Sequence, residues 1–219
     1  MTLHVLGISA SPRKNSNSSA LLEEALRGAA TDGADTEHVR LSDLAIRPCR
    51  ACGACATTGE CVVRDDFQAL RDTLLEADRL VFATPVHFMG VAAQGKALID
   101  RCQSLWSRKY RLREPLYAAG PRDRRALVIA VGGSRVERMF EGIRLVTQYW
   151  FDTLEMAHVA NLFVRCMDNA GAARNDPVTL GEACRLGAAL ADVDAVAPAE
   201  PVDVFLAGHS PGLSSTQEG

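Results

Sequence analysis

Leu3-His-Val-Leu-Gly-Ile-Ser9-Ala-Ser11-Pro-Arg13-Lys14-Asn15-Ser16-Asn17-Ser18-Ser19 is the stretch that decides the fold. Residues 3–9 are a short, largely apolar run, the pattern of a buried strand. A polar loop follows. Leu21, Leu22, Ala25, Leu26 and Ala29 then fall on one helical face, with Glu23, Glu24 and Arg27 opposite, which predicts a helix over 17–30. Asn17, Ser18 or Ser19 is placed to cap its start. The N–H groups of such a helix start attract an anion, and Arg13 and Lys14 add charge suited to a phosphate dianion. Neither the G-x-x-x-x-G-K nor the G-x-G-x-x-G pattern is present, so the loop suits one terminal phosphate, as on a mononucleotide. Ser9, Ser11, Arg13, Ser16, Asn17 and Ser18 are its candidate contacts. The competing reading is a Ser/Asn-rich helix cap that holds nothing.

The same alternation runs on from there. Strands are predicted at 36–41, 79–84, 126–131 and 158–166, and helices at about 65–76, 90–106, 136–154 and 178–191. Asp65 and Asp66 read as caps of the second helix. Alternating strands and helices imply a parallel sheet covered on both faces, because crossover connections are right-handed. The expectation is an α/β, doubly wound, three-layer sandwich with a five-stranded parallel sheet in the order 2-1-3-4-5. Its domain covers 1–197, and a Pro-, Gly- and Ser-containing tail, 198–219, is expected to pack loosely. Ligands of such sheets bind beyond the carboxyl ends of the strands, at the switch point between strands one and three.

Three more loops lie at those ends. Cys49-Arg-Ala-Cys52-Gly-Ala-Cys55-Ala-Thr-Thr-Gly-Glu-Cys61 follows strand two and is spaced C-x2-C-x2-C-x5-C. Free cysteines tend to be buried singly, so four in one polar loop require a reason. Thiolates in triplet register with a fourth further on are the pattern of a chain wrapped around an iron–sulfur cube. A zinc site usually has two separated ligand pairs with a longer spacer. Zinc and free thiols remain the alternatives. Thr84-Pro85-Val86-His87-Phe88-Met89-Gly90 is an apolar, aromatic loop that would suit the edge and face of a flat hydrophobic ring. His87 is a candidate polar contact or proton donor, although packing over the sheet is the plainer explanation for Phe88 and Met89. Val131-Gly132-Gly133-Ser134-Arg135 lets backbone approach whatever the other loops hold. The chemistry of these loops is expected to converge. Cys102, Cys166 and Cys184 fall on apolar faces and are read as core residues.

The 219 residues carry a formal net charge of −3, with 47% hydrophobic and 23% charged residues. That composition suits one soluble α/β domain and argues against nucleic-acid binding. No apolar run reaches transmembrane length, so no membrane partner is expected. No basic n-region or cleavage site precedes residue 3, and seven cysteines in such a chain point to a reducing compartment, the cytoplasm. Residues 107–125 form a long basic connection with Trp106, Tyr110 and Tyr117 interleaved. It reads either as a lid docking an acidic donor or the phosphate of NADPH, or as an insertion packed against a neighbouring subunit.

Taken together, the Ser11-Pro-Arg-Lys-Asn-Ser-Asn-Ser18 loop, the cysteine run, Asp65-Asp66-Phe67, the 84–90 loop, Lys96-Ala-Leu-Ile-Asp-Arg101 and Val131-Gly-Gly-Ser-Arg135 resemble the iron–sulfur flavoproteins. These sit within the NADPH-dependent FMN reductase group of flavodoxin-like proteins. The resemblance covers roughly residues 3–190 and departs at His87, where tyrosine is common. It implies FMN held by the three loops, with Pro85, Val86, His87, Phe88, Met89, Gly90, Gly132 and Gly133 joining the phosphate contacts. It also implies a 4Fe–4S cluster on Cys49, Cys52, Cys55 and Cys61, and a homodimer or homotetramer. The flavin would carry the chemistry, with no separate catalytic residue. The expected activity is an FMN-dependent oxidoreductase that passes electrons from a ferredoxin-type donor through cluster and FMN to a small-molecule acceptor. One alternative is an NAD(P)H-dependent FMN or quinone reductase without a functional cluster. Another is a non-catalytic flavin- or metal-binding module.

Overall fold

The computed structural model describes residues 2–31, 33–117, 120 and 122–208. Strands β1 (His4–Ser9), β2 (Asp35–Arg40), β3 (Arg79–His87), β5 (Arg125–Val131), β6 (Ala157–Arg165) and β7 (Val202–Ala207) form a parallel sheet in the order β2-β1-β3-β5-β6-β7. A two-residue strand, β4 (Gly90–Val91), pairs antiparallel with the end of β3. The first five parallel strands keep the predicted order. The sixth corrects the reading of the tail: β7 lies within the segment expected to pack loosely. It is held by Phe205 beside Phe163 (ring centroids 5.4 Å) and by Asp203, which accepts from Asn161 and pairs with Arg144. Residues 209–219 of that tail lie outside the described residues.

Helices α1 (Asn17–Ala30) and α7 (Pro177–Ala191) cover one face of the sheet. Small residues let these two helices touch backbone to backbone. A Cβ on Gly28 would lie 2.0 Å from Cys184 O, and one on Gly187 would lie 1.9 Å from Ala25 O. The other face is covered by α3 (Phe67–Glu76), α4 (Ala93–Arg101), α5 (Gln103–Trp106) and α6 (Glu141–Thr153), over a core with Phe67, Phe82, Phe140, Trp150, Phe151 and Phe163. The predicted helix over 90–106 is therefore a short strand and two helices: Gly90 and Val91 are drawn into pairing with Val86 and His87.

Three arginines at the amino ends of β3 and β5 are buried, and each donates to at least one carbonyl at or near a helix end. Arg124 donates to Ala77 O and Leu74 O at the end of α3 and to Leu154 O at the end of α6. Arg79 donates to Leu190 O in α7, and Arg125 to Asp192 O just beyond it. Cations there satisfy orphan carbonyls and oppose the negative pole of each helix. Burial pulls the Arg124 guanidinium down to about 10. The described residues of the 107–125 connection make contacts within their own chain. A π-helical turn, Ser107–Leu112, brings Lys109 and Tyr110 onto Asp152, while Trp106 donates to Tyr149. No helix among the described residues is long and apolar enough to cross a membrane.

Candidate functional site

The rim where β1, β3, β5 and β6 end holds a cavity of about 380 Å³. On one side the loop after β1 turns into α1. Ser16 is the N-cap, ahead of the predicted candidates, and accepts from Ser19 N. The first-turn N–H groups of Asn17 and Ser18 have no intrahelical acceptor. Arg40 on β2 donates to Arg13 O and Lys14 O, at 3.4 and 3.3 Å, and so pins the loop from outside. Ser11, Arg13, Ser16, Asn17, Ser18, Pro85, Val86, His87, Gly132 and Gly133 all line this cavity. Asn17 also ties the rim together, since its amide donates to Met167 O and Asn169 O and its oxygen accepts from Ala173 N.

Four candidates do not line it. Ser9 is consumed by a 2.5 Å hydrogen bond to Ser19. Phe88 and Met89 form the β3–β4 turn and Gly90 opens β4, with Phe88 fully exposed. Phe88 and Met89 both have positive φ, 49° and 61°, the signature of a two-residue primed turn that normally takes Asn-Gly. Large apolar side chains held there are strained by about 1–2 kcal/mol each, a common mark of a functional surface. The sequence reading overlooked Met167, Asp168 and Ala170, which also line the cavity. Their signal was available: they follow the strand next to β5 and so lie on the same rim.

The cysteine segment forms a second cavity, of about 480 Å³, and its lining includes Cys49, Cys52, Cys55 and Cys61. The four cysteines and the rim residues line two separate cavities, which share no lining residue. The segment packs on α4, α5 and the π-helical turn. Left-handed Ala51 and Gly53 and a short helix, α2 (Cys55–Thr58), curl it around its centre. Donors already face two sulfurs: Ala51 N approaches Cys49 Sγ at 3.4 Å, and Ser107 Oγ approaches Cys55 Sγ at 3.7 Å. Among the described residues no three His, Cys, Asp or Glu side chains are arranged to hold a metal ion. Zinc would need its sulfurs about 2.3 Å from one centre. A cube spreads four thiolates over separate irons, so four thiols around one roomy cavity fit it better than they fit a single ion.

Arg101 closes this segment from α4. It donates to Arg47 O, Val63 O and Asp65 Oδ2, each at 2.8 Å, and lies 4.5 Å from the centre of the Phe67 ring. Asp65 also accepts from Arg47 N and Phe67 N. Burial opposes its charge, but the Arg101 hydrogen bond, the two backbone N–H groups and the Arg101 charge outweigh that and hold its carboxyl down at about 2. Asp65 is thus the ion-pair centre of the loop as well as a cap. The Asp66 side chain caps nothing and accepts from Ala45 N instead. Cys102 is buried, and burial pushes its thiol up to about 12. Cys166 and Cys184 are only half-buried, not core as expected.

Comparison with known proteins follows the same lines. Residues 3–166 match the family model described as NADPH-dependent FMN reductase. The chain is 40% identical over 103 residues to an iron–sulfur flavoprotein of Methanocaldococcus jannaschii, covering 47% of this chain and 53% of that one. It is 35% identical over 133 residues to an iron–sulfur flavoprotein of Methanosarcina thermophila, covering 61% and 65%. It therefore spans about half the length of the first relative and about two thirds of the second. Among solved structures, a flavone reductase aligns with a TM-score of 0.65 at 24% identity, over 87% of this chain and 62% of that one. An NAD(P)H:quinone oxidoreductase from Methanothermobacter marburgensis aligns at 0.62 and 19% identity, over 86% and 98%. At these identities the structures speak for the flavodoxin-like fold alone. With a parallel sheet in this order and a hydroxyl-lined rim matched from residue 3 to 166, the chain belongs to the NADPH-dependent FMN reductase family.

Proposed function

We propose that the protein is an FMN-dependent electron-transfer oxidoreductase with a 4Fe–4S cluster, fed by a ferredoxin-type donor and emptied by a small-molecule acceptor. The observation that carries this reading is the pair of cavities: a rim cavity against the first turn of α1, and another lined by four cysteines. The names of the iron–sulfur flavoprotein relatives support the cluster.

When bound, the cluster moves single electrons and the flavin collects a pair. The chain's own residues do the rest. Ser11, Ser16, Ser18, the α1 N-terminus and Arg13 bind and neutralise the FMN phosphate. Pro85, Val86, His87, Gly132 and Gly133 face the ring, with Phe88, Met89 and Gly90 at its border. Cys49, Cys52, Cys55 and Cys61 hold the cluster, and Ala51 and Ser107 donate to its sulfurs. A homodimer or homotetramer is the proposed functional unit, as the resemblance to the iron–sulfur flavoproteins implies.

Family membership favours a second reading, in which NAD(P)H reduces the flavin directly and the cysteines serve no cluster. Anaerobic reconstitution with FMN, iron and sulfide separates the two. The first reading expects roughly four irons and four sulfides per chain, and Cys52→Ser should remove the cluster absorbance while FMN stays bound. Flavin without iron, bleached by NADPH alone, would establish the second.

A further inference from the structure

One side-chain nitrogen of Arg101 has no hydrogen-bond partner. The residue is 1% exposed and ends α4. Both terminal nitrogens are engaged, by Arg47 O, Val63 O and Asp65 Oδ2. These acceptors flank the cysteine run on either side, so the guanidinium clamps the two ends of the loop together. Its Nε is buried without a partner. A buried donor left unpaired is destabilising, the more so when it is charged. Arg101 lines the cysteine cavity together with Cys61, which lies two residues before Val63, whose carbonyl Arg101 already holds. Cys49 and Cys55 already receive donors from Ala51 and Ser107, so a donor aimed at Cys61 would extend an existing pattern.

We propose that Arg101 is a positioning residue that donates its Nε–H to the cluster at the Cys61 sulfur and raises the cluster's reduction potential. The inference rests on the cluster reading above. The reduced cluster is one charge more negative than the oxidised one. A fixed cation and a sulfur-directed hydrogen bond therefore stabilise the reduced form more. Arg101→Lys keeps the charge but removes the fork that aims it.

The test starts from the reconstituted wild type. If it takes up no iron and sulfide, the cluster reading fails and this inference with it. Once it is loaded, a redox titration followed by electron paramagnetic resonance compares wild type with Arg101→Lys. The expected result is about a tenfold smaller equilibrium constant for one-electron reduction, a fall of ~59 mV, with the flavin potential unchanged. A loaded variant with an unchanged cluster midpoint overturns the proposal. Should Arg101→Lys fail to fold or to load, a second measurement needs no change at Arg101. In the loaded Arg50→Lys/Arg111→Lys double variant, Arg101 is the remaining arginine among the described cavity-lining residues. With ¹⁵N-labelled arginine, pulsed electron paramagnetic resonance of the reduced cluster should show a weak ¹⁵N coupling. Its absence overturns the proposal.

Discussion

Asp65 is the residue on which closure of the cysteine segment turns. Its side chain is 6% exposed and opposes the fully buried Arg101 side chain at 2.8 Å. An Asp→Asn change there leaves a buried cation without its counter-charge, which typically costs about 3 kcal/mol. The pH dependence has a definite sign. The carboxyl sits at about 2 when folded, against about 3.9 in an unfolded chain. The native pairing is therefore fully stabilising above about pH 5 and is lost as pH falls from about 4 through about 2, a contribution of about 2–3 kcal/mol. Urea titrations of the apoprotein should place Asp65→Asn about 3 kcal/mol below wild type at pH 7. At pH 3 the gap should narrow by about 1 kcal/mol. A gap that does not change with pH would mean that the pairing does not hold the loop. In the sequence, Asp65 reads as a helix cap, which is only half of what it does. Its partners at 47 and 101 are distant in the chain, and nothing in local spacing announces them.

Two elements behave differently from their composition. The β3–β4 turn places Phe88 and Met89 in the left-handed region, where Asn-Gly is the usual choice. Replacing Phe88-Met89 with Asn-Gly relieves strain at both positions and should stabilise the fold by about 2–4 kcal/mol in thermal or denaturant unfolding. The same change should weaken flavin binding, read by equilibrium dialysis, if the turn borders the ring. Gain of stability with unchanged flavin affinity would assign the strain to some other surface. Strand β7 is the second case. Phe205 is partly exposed but packs with Phe140 and Phe163, at centroid distances of 6.3 and 5.4 Å. Phe205→Ala should cost about 1–2 kcal/mol, less than the 3–5 kcal/mol of a fully buried phenylalanine. An unchanged unfolding midpoint would return this segment to a loose tail. Pro198 and Pro201 obscured the strand in the sequence, because they punctuate the chain just before six residues that pair along β6.

At the scale of the whole molecule, the basic connection becomes a fastening device. Arg124 ties the ends of α3 and α6 to the amino end of β5, and its guanidinium also packs over Tyr117 at 4.7 Å. Arg124→Met keeps most of the apolar stem but leaves three buried carbonyls without this donor. A loss of about 3 kcal/mol is expected in urea unfolding, with the flavin spectrum of the folded fraction unchanged. A shifted flavin spectrum would instead link this end of the sheet to the site at the other. The same arginines read in the sequence as a lid or as a contact with another subunit. A count of charges along a segment says nothing about which of them the fold turns inward.

The order of five strands, the hydroxyl loop that opens α1 and the grouping of four cysteines follow from the sequence alone, because each depends on residues close together in the chain. Hydrophobic period, helix start signals and ligand spacing are local properties. Tertiary structure alone decided that the cysteines occupy a cavity apart from the rim, that Asp65 and Arg101 close it, and that the chain's last described strand joins the sheet. Each of these brings together groups tens of residues apart. Their pairing is governed by burial and by the need to satisfy buried charge, which no short stretch of sequence encodes.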